Sequence, residues 1–132
     1  MFALSTRDGR EIWRVETGAN ESASGCFLGQ SQCIVVLPVG HKTSNLAALD
    51  KRDGRVLWSR PLRKGYRPEM FGAWNGALLL ALGNDLLGIA PETGEERWRI
   101  EGIVDEYHPK VGSAGERVVT EWRKHLRCHD TG

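Results

Sequence analysis

Apolar residues in this chain gather in short runs, such as Cys33–Val39, Leu46–Leu49 and Ala77–Leu82, separated at short intervals by glycine, asparagine and aspartate. Runs of that length, rich in β-branched and aromatic residues and bounded by turn formers, are the pattern of β-strands joined by hairpins. Strands are predicted at Cys33–Val39, Asn45–Asp50 and Arg55–Arg60, the last two joined by an Asp53-Gly54 turn. The next stretch predicts a full set. Met70–Trp74, the dipeptide Asn75-Gly76, Ala77–Leu82, the turn Gly83-Asn84-Asp85, Leu86–Ala90, the turn Thr93-Gly94 and Glu95–Ile100 make four strands and three tight turns. Asn-Gly between apolar runs signals a type I′ hairpin, because both residues tolerate positive φ. Further strands are predicted at His108–Gly112, Glu116–Arg123 and His125–Cys128.

The turns recur in register. Ala3, Ser5, Asp8, Gly9 and Trp13 have the spacing of Ala48, Asp50, Asp53, Gly54 and Trp58, and of Gly88, Ala90, Thr93, Gly94 and Trp98. A fourth copy, Leu126, Cys128, Thr131 and Gly132, stops before its tryptophan. Steps of 45, 40 and 38 residues between these glycines match a four-stranded propeller blade. An Asp-Gly or Thr-Gly pair occurs five times, and three of the four with a residue four places on have tryptophan there. Coincidence has a probability on the order of one in several thousand. The expected fold is all-β, about three blades of four antiparallel strands: the end of a blade over 1–15, blades over 22–62 and 68–102, and an incomplete blade over 106–132.

Each motif position has a physical reason. The glycine takes a left-handed conformation that a side chain resists. Asp50, and Asp8, Asp53 or Thr93 before the glycine, offer oxygens to backbone N–H groups that the turn leaves free. Tryptophan supplies a large apolar face and one N–H donor to fill the wedge between neighbouring blades. Ala3, Ala48 or Gly88, ten places earlier, leaves the indole room.

In idealised form, AxDxxTGxxxW, these residues resemble the tryptophan-docking repeats of quinoprotein-like (PQQ-like) β-propellers over nearly the whole chain. Ser5, Ala90 and Cys128 stand in place of the aspartate, and Gly88 and Leu126 in place of the alanine; these departures bear on individual turn hydrogen bonds rather than on the fold. The family includes quinoprotein alcohol dehydrogenases, a non-enzymatic lipoprotein of the outer-membrane β-barrel assembly machinery, and sensor domains attached to kinases. Its enzymes hold calcium with carboxylate and amide side chains and place a tryptophan under the quinone beside a catalytic aspartate. Many also carry two adjacent cysteines, a pair not found here. The resemblance implies an extracytoplasmic setting.

Composition narrows the function. With 18 Lys and Arg against 17 Asp and Glu, the net charge of +1 supplies no basic field for nucleic acid. The longest apolar stretch, around Ala77–Leu82, is far shorter than the roughly twenty residues of a membrane-spanning helix. Arg7, Asp8, Arg10 and Glu11 interrupt any apolar core that a secretory leader would need near the N-terminus. Cys26, Cys33 and Cys128 match no common zinc or redox spacing and are expected to be small buried hydrophobes.

Candidate chemistry is sparse. Asn84, Asp85 and Asp105 are oxygen donors that a calcium could use, although turn residues of this kind are ordinarily solvated. Trp74 and Trp122 lie outside the motif and could form a platform, with blade packing as the plainer role. On a strand, His125 and His129 share a face about 13 Å apart while Cys128 points away, so the three do not converge on one ion. There is no nucleophile elbow. Arg60, Arg63, Lys64 and Arg67 form a basic cluster expected to be a solvated connection. These features favour a non-enzymatic scaffold that binds a protein or peptide and carries no cofactor of its own. The alternatives are a segment of a PQQ- and calcium-dependent dehydrogenase, or a sensor domain. About three blades leave sheet faces open, so the missing blades of a longer protein, or self-association into a ring, are expected to close them.

Overall fold

The hairpin chemistry builds a succession of antiparallel meanders. The computed structural model describes residues 2–16, 24–40, 43–62, 68–103, 110–114, 117–122 and 125–130, and all regular secondary structure among them is β-strand. The chain falls into two units, Met1–Gly65 and Tyr66–Gly132.

In the first unit, β1 (Phe2–Leu4) and β2 (Glu11–Arg14) form a hairpin. Strands β3 (Ser24–Leu28), β4 (Gln32–Gly40), β5 (Thr43–Asp50) and β6 (Val56–Pro61) form a four-stranded antiparallel sheet in chain order. Ile34, Val35 and Val36 of β4 are all buried, as are Leu46–Leu49 of β5. Burial of consecutive residues means that both sheet faces are covered, and that is why these strands read as continuous rather than alternating apolar runs. Cys33, Val35, Ala47 and Leu49 form a core against which Trp13 and Val15, from the first hairpin, also pack.

The second unit repeats the plan. Strands β7 (Pro68–Trp74), β8 (Ala77–Leu82), β9 (Asp85–Ile89) and β10 (Glu96–Ile100) form a four-stranded antiparallel sheet, and all six residues of β8 are buried. Strands β11 (Lys110–Ala114), β12 (Arg117–Trp122) and β13 (His125–Asp130) form a three-stranded one. Leu79, Ala81, Leu86 and Ile103 make the core, joined by Phe71, Trp74, Trp98 and Ile100 and by Val111 of β11. The Asn75-Gly76 turn has φ of 48° and 74°, the two positive values a type I′ hairpin requires.

Three differences from the sequence reading concern strands. Ser24–Leu28 pairs with β4 although only Cys26, Phe27 and Leu28 are apolar and glycines flank them, so its partner strand organises it. Asp85 opens β9 instead of closing a turn, and β13 runs on to Asp130.

Candidate functional site

The repeated turns have nearly the same hydrogen bonds in all three described copies. At the middle one, the Asp50 N–H donates to Arg55 O (2.8 Å), the Gly54 N–H to Asp50 O (2.8 Å), and Gly54 sits at φ +74°. Ser5 and Gly9 (φ +73°) make the equivalent bonds, both 2.8 Å, and Ala90 and Gly94 (φ +77°) make them at 2.7 and 2.8 Å. The residue before each glycine accepts from the N–H two places on: Asp8 from Arg10 (3.0 Å), Asp53 from Arg55 (2.9 Å) and Thr93 from Glu95 (3.3 Å). Ala90 has no acceptor side chain, so its turn closes through the main chain and Thr93, without the second side-chain acceptor that Ser5 and Asp50 supply in the other copies.

Asp50 does more than its counterparts. Its carboxylate accepts from the Arg52 backbone N–H at 2.8 Å and forms an ion pair with the Arg52 guanidinium at 2.9 Å. The guanidinium bond first, and the backbone N–H second, hold the Asp50 carboxyl down at about 2. Ser5, at the same place in the first copy, accepts from the Arg7 N–H at 3.2 Å.

Each motif tryptophan stands opposite its small partner in the strand ladder: Ala3 with Trp13, Ala48 with Trp58, Gly88 with Trp98. At Gly88 there is no space for more than hydrogen, since a Cβ would overlap the Trp98 ring. Trp13 also reaches the next motif. Its Nε1–H donates to Lys51 O at 2.8 Å, and a Cβ built on Gly54 would lie 2.7 Å from Trp13 Cε3. The indole of one repeat therefore lies flat against the glycine turn of the following repeat within the first unit. Gly54 is buried beneath it, whereas the turn glycine Gly9 is exposed with nothing within 4 Å of its Cβ position.

Asp85 does not fit a calcium ligand. One carboxylate oxygen accepts from the Gly102 N–H at 3.1 Å and the other lies 3.0 Å from the Arg99 guanidinium, whose charge opposes a cation. Its expected solvation gives way to these bonds because β9 begins at this residue. Trp74 packs into the second core, and its buried Nε1–H has no acceptor among the described residues. It is wall rather than open platform. Asp105, Arg63, Lys64 and Arg67 lie outside the described residues, as do Thr131, Gly132 and the side chains of Trp122, His125 and His129; Arg60 is half-buried on β6. Among the described residues no three His, Cys, Asp or Glu cluster as a metal site, and no helix is long and apolar enough to cross a membrane.

The cysteines depart from their expected burial. Cys33 is buried, but Cys26 and Cys128 are exposed, and all three are free thiols. Cys26 Sγ and Cys33 Sγ stand 2.9 Å apart. Spacing alone did not reveal this pair, because it depends on β3 forming and on its register with β4.

Comparison with known proteins adds three findings. The family model described as outer membrane protein assembly factor BamB, a model of PQQ-like repeats, matches residues 2–123. The quinohemoprotein alcohol dehydrogenase ADH-IIG of Pseudomonas putida is 26% identical over 141 aligned residues, which take in 92% of this chain and 20% of that protein. The crystal structure of BamB from Moraxella catarrhalis superposes with a TM-score of 0.64 at 17% identity, over 93% of this chain and 37% of that one. The chain thus spans a fifth of the one and little more than a third of the other.

Proposed function

Because the chain belongs to the PQQ-like β-propeller repeat family, we propose that its blades act as a non-enzymatic scaffold for a protein or peptide partner. One observation carries this reading: the oxygens of the repeating motif are committed to the turns themselves. Asp8, Asp53 and Thr93 bind backbone N–H groups, and Asp50 binds Arg52. Motif tryptophans likewise serve packing, Trp13 against Gly54 and Trp98 over Gly88. Chemistry invested in turns and packing produces rigid walls, and surface loops on rigid walls recognise partners. The family description, an assembly factor, supports a macromolecular partner. The blades a longer protein supplies, or further copies of this chain, are proposed to cover the remaining sheet faces.

A second reading, a segment of a PQQ-dependent dehydrogenase, is favoured by the 26% identity to a quinohemoprotein enzyme. PQQ would supply the redox chemistry there, with ligands from other parts of the protein, since Asp85 is paired with Arg99. Titration with calcium and PQQ separates the two. Under the scaffold reading the chain shows no saturable change in quinone absorbance; saturable binding at one equivalent would overturn it.

A further inference from the structure

Strand β3 lies at the edge of its sheet and, among the described residues, has only β4 as a hydrogen-bonded neighbour. Within that pairing Phe27 faces Ile34 and Leu28 faces Cys33, so Cys26 and Cys33 are diagonal neighbours on one sheet face. The register shifts between Ser24 and Cys26, where Gly25 has φ +72°. A glycine bulge of this kind re-aims the side chain beside it. The hairpin between the two cysteines is held from a third strand's turn: Lys51 Nζ donates to Gly29 O at 3.0 Å and the Lys51 N–H to Ser31 O at 3.1 Å. The two sulfurs are thus brought to 2.9 Å by a bulge on one side and a clamped loop on the other.

We propose that Cys26 and Cys33 are a reversible thiol–disulfide site that fastens edge strand β3 to β4 when it is oxidised. The two thiols differ in access. Cys26 is exposed and meets an oxidant first, whereas Cys33 is buried in the core against which Trp13 packs, and burial pushes its thiol up to about 12. The co-reactant is a low-molecular-weight disulfide such as oxidised glutathione. Cys26 Sγ, having lost its proton, attacks one sulfur of that disulfide; the S–S bond breaks, one thiol leaves with the proton, and a mixed disulfide forms. Cys33 then loses its proton, attacks Cys26 Sγ and expels the second thiol. Two electrons pass from the cysteine pair to the oxidant, and two protons and two thiolate halves leave as two thiols.

Equilibration of the whole chain with graded ratios of oxidised and reduced glutathione tests this, with free thiols trapped by iodoacetamide and the peptides mapped by mass spectrometry. The expected product is one peptide pair joined through Cys26 and Cys33, about 2 Da lighter than the two reduced peptides together. It should form within single chains and return to thiols as the ratio is reversed, with near-ultraviolet circular dichroism unchanged. Cys128, exposed on β13, is the internal reference and should take a glutathione adduct under the same conditions. In Cys33→Ala the reaction should stop at the first step, and the adduct on Cys26 should rise about tenfold or more. A wild-type chain in which Cys26 holds glutathione as Cys128 does, without a Cys26–Cys33 link, would overturn the proposal. So would a link found only between chains or only after native dichroism is lost.

Discussion

Gly54→Ala and Gly9→Ala make a matched pair of perturbations. Both glycines occupy the same turn with the same main-chain bonds and almost the same φ, +74° and +73°. Left-handed backbone costs an alanine about 1–2 kcal/mol at either site. At Gly9 nothing lies within 4 Å of the new methyl group, so that is the whole cost. At Gly54 the methyl would sit 2.7 Å from Trp13 Cε3 and 2.8 Å from Cδ2, well inside the contact distance of about 3.5 Å between carbons. The indole must shift, which adds about 1–3 kcal/mol of overpacking. The shift also strains the 2.8 Å bond from Trp13 Nε1 to Lys51 O, worth about 0.5–1.5 kcal/mol. Gly54→Ala should therefore cost about 3–6 kcal/mol against about 1–2 for Gly9→Ala. Urea melts followed by circular dichroism measure both, with trimethylamine N-oxide added to keep the weaker variant folded. Trp13→Ala completes a double-mutant cycle: in that background the excess at Gly54 should vanish, so the coupling should equal that excess, about 2–4 kcal/mol. Equal costs at the two glycines would refute the inter-repeat role of the indole, and so would an excess that survives removal of Trp13.

Other perturbations probe separate parts of the molecule. Gly88→Ala places a methyl group in the Trp98 ring and should cost about 1–3 kcal/mol by overpacking; a change under about 0.5 kcal/mol in denaturant melts would mean that the ring does not rest there. Asp50 is held at about 2 in the folded chain by Arg52, below the ordinary carboxylate value near 3.9. Its contribution to stability is therefore complete above about pH 4 and is lost as pH falls toward 2. Asp50→Asn should flatten that part of the acid limb when urea midpoints at about pH 2.5 and 6 are compared, and parallel acid limbs in the two proteins would contradict the ion pair's role. Arg99→Ala releases Asp85 from a cation and also removes the Glu96 bond; being half-exposed, the network should be worth no more than about 1 kcal/mol in a melt.

The strands were legible wherever burial is continuous or turn chemistry is explicit. Ala77–Leu82 appears in the structure with the same bounds because an Asn-Gly hairpin precedes it and both of its faces are covered. Ser24–Leu28 was not legible, because its two glycines break the apolar run and its hydrogen bonds come from β4. The same gap hid the thiol pair. Asp85 resembled a solvated turn residue until Arg99, fourteen residues away, was placed beside it.

The repeat and its turns are properties of the sequence by itself. A glycine at positive φ, an acceptor before it and two main-chain bonds spanning four and five residues are local matters, decided by side chains that no distant contact needs to rearrange. Tertiary structure decided what touches across the repeat. Trp13 meets Gly54 across forty-one residues, Cys26 meets Cys33 through a bulge and a register, and Gly88 is glycine because the Trp98 ring covers it. Those contacts follow from strand pairing and sheet packing, in which a shift of one residue turns every side chain to the opposite face.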